Sequence, residues 1–168
     1  MILIGVVVAS VLIAIWFDWK ERRIPNRLTL SMAALGLILN FWMQGISGLT
    51  HSLYGLGCGL LLLILPFAVG GVGGGDVKLM GAIGSIVGPM LVLKIFLASA
   101  VFGGILSLAT MIRRKALGAT LRGIRDRIIY MVLTKKAPDE NQWKREKEVS
   151  VPYAVAIGCG TLFVLFAL

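Results

Sequence analysis

Residues 79–112 read LMGAIGSIVGPMLVLKIFLASAVFGGILSLATMI, thirty-four residues with a single charge, Lys94. A helix needs roughly 20 apolar residues to cross a bilayer, with a range of about 17–25. The stretch is too long for one ordinary span. Gly88-Pro89 lies inside it, and a residue before proline is biased away from helix. The junction divides the run into two short spans. One span or two reverses the side on which everything C-terminal lies, so this junction decides the topology.

The composition agrees that the chain is a membrane protein. Of 168 residues, 58% are hydrophobic and 15% charged, with a mean hydropathy of +0.91. Soluble domains run nearer ~45–50% apolar and ~25% charged. Disorder is excluded as well, because it needs low hydrophobicity. The apolar runs show no alternation of apolar and polar residues, which argues against strands. Setting aside the charged block 18–27 and the polar stretch 113–150 leaves about 120 residues, room for about six spans. They are expected near 2–17, 28–47, 51–70, 77–88, 90–112 and 151–168. The fold class is therefore all-α, a single polytopic membrane domain over 1–168.

Lys and Arg accumulate in cytoplasmic loops. With six spans and the N-terminus outside, sixteen of the seventeen basic residues fall inside. They are Lys20, Arg22, Arg23, Arg27, Lys78 and eleven between Arg113 and Lys147. Lys94 alone stays outside, where it can snorkel. A five-span chain would place the large basic loop outside. Positive charge follows the first apolar run rather than preceding it, so that run is not a cleaved signal peptide. Trp16 and Trp19 bracket its cytoplasmic end as interfacial anchors.

Within the loop, Leu117, Leu121, Ile124, Ile128 and Val132 share one helical face, flanked by Arg125 and Arg127. This is the pattern of an amphipathic helix lying on anionic lipid. Lipid accounts for the basic residues, so no nucleic-acid partner is expected. Cys58 and Cys159 have no CxxC partner and read as small packing residues. No metal-ligand cluster is visible, and no cofactor is expected. Gly55 with Gly59, and Gly81 with Gly84, are candidates for close helix approach.

The eight acids are the feature to follow, because an acid beside a membrane is costly. Asp126, Asp139, Glu140, Glu146 and Glu148 lie in the large loop, and Glu21 reads as a surface partner for Arg22 or Arg23. Asp18 and Asp76 remain, each at a membrane boundary on the same side. Each has a plainer reading, Asp18 as a partner of Arg22 and Asp76 as the N-cap of the fourth span. Asp76 follows the run Gly70-Gly71-Val72-Gly73-Gly74-Gly75, which lets the backbone approach another group closely. Lys78 is placed to pair with Asp76 or with lipid phosphate. Two carboxylates facing one water, sharing one proton, are the arrangement of aspartic proteolysis.

Asp18-Trp19-Lys20-Glu21-Arg22-Arg23-Ile24-Pro25-Asn26 resembles the first motif of the type IV prepilin peptidases. Gly73-Gly74-Gly75-Asp76-Val77-Lys78-Leu79 resembles their Gly-x-Gly-Asp motif. Val151 to Gly158 resembles the proline-led start of their last span. The resemblance implies an intramembrane aspartic endopeptidase in the inner (plasma) membrane of a prokaryote. It implies removal of basic leader peptides from pilin-like precursors at the cytoplasmic face. Asp18 and Asp76 match its catalytic aspartates, and Gly73, Gly75, Lys78, Arg23, Pro25 and Asn26 its supporting motif residues. Longer members also methylate the new N-terminus and carry an extension with paired CxxC motifs. This sequence has no such motifs, so the expectation extends to cleavage alone. The short form is similar to the peptidases of tight-adherence (Flp) pili and of archaeal preflagellins. The other class to weigh is a non-enzymatic carrier subunit or pilus-assembly scaffold using Asp76 and Lys78 as an ion relay.

Overall fold

The structure is a computed structural model that describes residues 2–21, 24–68, 71–113 and 153–167. Among them are five helices and no strand: α1 (Ile2–Glu21), α2 (Asn26–Ala68), α3 (Gly74–Val87), α4 (Pro89–Arg113) and α5 (Tyr153–Ala167). Three of these, α1, α2 and α4, are long and apolar enough to cross a membrane. Large apolar side chains such as Leu30, Trp42, Ile46 and Leu65 are exposed on them. A surface of that kind suits lipid and not water. The chain divides into two compact units, residues 1–103 with 152–168, and residues 104–151. The site described below lies in the first. The amphipathic segment 117–132 and most of the loop 113–150 fall outside the described residues.

The expected spans 28–47 and 51–70 fall in α2 as two helical arms that meet at a kink at Gly45. Gly45 has φ 61° and ψ −139°, a backbone that glycine adopts without steric cost. The expected loop at 48–50 is helical. Ser47 and Thr50 donate hydroxyl hydrogen bonds to the carbonyls of Gln44 and Ser47, which satisfies backbone groups near the break. The two arms, 26–44 and 46–68, both flank α3. The first runs parallel to it, since Asn26 meets Lys78 and Asn40 meets Ile86. The second runs antiparallel, with Gly55 against Gly84 and Gly59 against Met80 and Gly81. A methyl group on Gly55 would overlap the Gly84 carbonyl. The glycine pairs seen in the sequence are therefore where two backbones touch.

The break at Gly88-Pro89 is present: Gly88 has φ 83° and separates α3 from α4. Pro89 has no N–H, so the Ser85 carbonyl loses its helical donor. Asn40 Nδ2 at 3.1 Å and Ser52 Oγ supply it instead, one from each arm of α2. Asn40 also donates to the carbonyls of Gly36 and Ile86. Ten of the fourteen residues of α3 are buried, which makes α3 the centre of the core with Met32, Leu63, Met80, Ile83 and Ile157. Around it, α1 packs chiefly on α5, where Gly158 receives Val11 and Ile15. Cys58 and Cys159 are free and half-buried, as packing residues are. Trp16 and Trp19 are exposed near the end of α1.

Candidate active site

α1 continues past its apolar run to Glu21, so Asp18 stands on the last turns of a helix and not beyond it. The Asp18 Oδ2 atom accepts the backbone N–H of Ala154 at 3.3 Å. Ala154 is in the first turn of α5, where N–H groups have no helical partner and the helix dipole favours negative charge. The proline-led start of α5 is the sequence signal for this contact. It marks a helix N-terminus, though nothing in the sequence says which residue that terminus faces.

α3 begins at Gly74, three residues earlier than the expected span, so the glycine run supplies its first turn. The N-cap is Gly73, and Asp76 is the third helical residue. Asp76 is thus not the N-cap. Its Oδ2 accepts the Gly73 N–H at 3.2 Å, as an acid at this position does. Its Oδ1 is buried and has no hydrogen-bond partner among the described residues. Capping accounts for one oxygen of this carboxyl and leaves the other unexplained. Gly75 allows close approach: a Cβ there would lie 3.2 Å from the Ile24 Cβ, a tight contact that Ile24 would have to relieve by a few tenths of an ångström.

Asp18 and Asp76 line one cavity of about 550 Å³, together with Glu21, Ile24, Pro25, Asn26 and Gly73 to Gly75. The sequence-expected residues Asp18, Asp76, Gly73, Gly75, Pro25 and Asn26 are therefore brought together. Glu21 is exposed, as expected, and also borders this cavity. Arg23, and with it any pairing of Glu21 to Arg22 or Arg23, lies outside the described residues. Lys78 does not pair with Asp76. Its Nζ donates to Asn26 Oδ1 at 2.8 Å, because residues two apart on a helix point away from each other.

Asp76 lies one residue ahead of the expected span 77–88. Burial raises its pKa most and the charge of Asp18 raises it further, while the Gly73 N–H lowers it; the result is about 7. A buried carboxyl beside a second carboxylate is expected to hold its proton in this way. The pair can therefore present one ionised and one protonated group to the same space near neutral pH.

The fold and site define a class: an all-helical membrane protein with two carboxylates from different helices in one cavity at a glycine-lined helix start. The type IV leader peptidase family model matches residues 5–108, and the chain belongs to that family. A peptidase role follows from membership. No curated protein and no solved structure matches the chain.

Proposed function

We propose that the protein is an intramembrane aspartic endopeptidase that removes the leader peptide of pilin-like precursors at the cytoplasmic membrane face. One observation carries this reading. Asp18 and Asp76, carried by different helices, line the same cavity, and Asp76 keeps one buried oxygen without a hydrogen-bond partner among the described residues.

The chemistry assigns the two carboxyls different roles. Ionised Asp18 takes a proton from a water in the cavity, and the oxygen adds to the scissile carbonyl carbon. Protonated Asp76 gives its proton to the carbonyl oxygen, aided by its otherwise unpartnered Oδ1. The tetrahedral species collapses as the C–N bond breaks: the leaving amine takes the proton held by Asp18, and a hydroxyl on the same carbon returns a proton to Asp76, which restores the dyad. Acid and base are thus both supplied by the chain, and no metal is required.

Six spans with both ends outside put this cavity on the cytoplasmic side. The placement is supported by the sixteen basic residues it collects there and by the backbone breaks at Gly45 and Gly88. Anionic lipid and pilin-like precursors are the expected partners.

Co-expression with a pilin-like precursor, reading the precursor's N-terminus, tests the reading. Asp18→Asn and Asp76→Asn are each expected to abolish leader removal while the protein still inserts in the membrane. Normal processing by either variant would overturn the assignment. Processing by purified wild type is expected to continue in excess chelator.

A further inference from the structure

The two aspartates belong to different packing partnerships. Asp18 is carried by α1, which packs on α5 and is tied to it by the Ala154 N–H. Asp76 is carried by α3, which is gripped by both arms of α2. The chain joins these partnerships between Glu21 and Asn26, and Glu21, Ile24, Pro25 and Asn26 all line the cavity. α1 also touches α2 and α3 directly, and α3 touches α5, so how that connection is held on α3 is one of the contacts that set the distance between the carboxyls.

Two contacts hold it. Ile24 packs on Gly75, so close that a Cβ on Gly75 would press on it. One helical turn further, Lys78 donates to Asn26, across 52 residues of sequence. Ile24 lies three residues from Glu21, and three extended residues reach only about 10–11 Å. Fixing Ile24 and Asn26 thus restricts the end of α1 on which Asp18 stands. Lys78 is not on the wall of the dyad cavity, whereas Asn26 is. Its position on α3, about 200° round from Asp76 at 3.6 residues per turn, turns it away from the reacting space.

We propose that Lys78 and Asn26 form a clamp that fixes the first-motif connection to α3 and so helps set the spacing of Asp18 and Asp76. Both are positioning residues: Lys78 acts through Asn26, and Asn26 through the connection it begins. The proposal rests on the dyad reading above. A small displacement of catalytic groups is costly, since about 1 Å of misplacement can cost about 100-fold.

The test uses the full chain, purified in detergent, with a pilin-like precursor as substrate. Cleavage by wild type and its loss in Asp76→Asn establish the dyad independently, so failure of the clamp is distinguishable from failure of that reading. Lys78→Met removes the donor at similar volume, and Asn26→Leu removes the acceptor. Each is expected to lower kcat about 10- to 100-fold with KM held within about twofold. The double variant is expected to be no worse than either single, because both remove one interaction. Lys78→Arg keeps a donor and Asn26→Asp keeps an acceptor, and both are expected to retain cleavage. Wild-type kcat in Asn26→Leu, additive losses in the double variant, or a change confined to KM would overturn the clamp. If Met or Leu prevents insertion, the two conservative variants decide: loss of kcat in both overturns it.

Discussion

At the scale of the residue, Asp76 links catalysis to stability. Its carboxyl keeps its proton to about pH 7, against 3.8 for the unperturbed group. The groups facing it are Asp18 and Glu21 of α1 across the cavity and Tyr153 of α5, with Lys78 turned away on its own helix. As the general acid it must be protonated, so kcat/KM is expected to fall as pH rises through about 7, measured as initial rates of leader removal. Stability has the same direction. Below about pH 4 the carboxyl is neutral in both folded and unfolded chains. Between pH 4 and 7 the unfolded chain releases the proton and the folded one does not, so folding weakens as pH rises. Above 7 the loss is complete and constant. Asp76→Asn removes the ionisable group, and its melting temperature is expected to exceed that of wild type by a margin that grows from pH 4 to 7 and then levels. A margin independent of pH would show that burial does not hold the proton there.

At the scale of the element, α3 explains which features the sequence made legible. Gly55, Gly59, Gly81 and Gly84 can be read directly, because small residues at a spacing of three or four have few purposes in an apolar helix other than contact. Gly88-Pro89 can be read because proline has no N–H and glycine alone tolerates φ 83°. Gly45 carries no comparable signal. It is one of 21 glycines, and only the packing of both arms on α3 selects it as the turning point. The clamp between Asn26 and Lys78 is equally silent, since nothing local joins residues 52 apart. The Ser85 carbonyl shows how such distant contacts become necessary. Pro89 leaves it without a helical donor, and Asn40 with Ser52 restores two. Asn40→Leu leaves the Ile86 carbonyl short of a donor and the Ser85 carbonyl with Ser52 alone. An unsatisfied buried polar group costs about 1–3 kcal/mol, and thermal unfolding in detergent is expected to register a loss of that order. Gly84→Ala is expected to destabilise by a similar or larger amount, because the added methyl meets the Gly55 carbonyl. Unchanged stability in both variants would mean that the arms do not grip α3 as described.

At the scale of the whole molecule, the short helices bear on how the chain crosses the bilayer. With a rise of 1.5 Å per residue, the 14 residues of α3 span about 21 Å and the 15 of α5 about 22 Å, against a hydrocarbon core of about 30 Å. Yet α3 is buried nearly throughout, so its neighbours and not lipid cover its ends. A short inner helix suits a site that must hold a carboxyl at the membrane edge, because the end of α3 need not extend to the headgroups. With six crossings, as proposed above, length alone undercounts them and charge is the better guide. Six crossings put the N- and C-termini on one side, and five put them on opposite sides. A reporter fluorescent only in the cytoplasm, fused after Leu168, is expected to be dark. The same reporter inserted between Ala137 and Pro138, in the basic stretch 113–150, is expected to fluoresce. With the N-terminus outside, a bright C-terminal fusion would mean an odd total number of crossings. A dark loop fusion together with a bright C-terminal one would then mean five crossings, with residues 79–112 crossing once and Asp18 and Asp76 still on the cytoplasmic side.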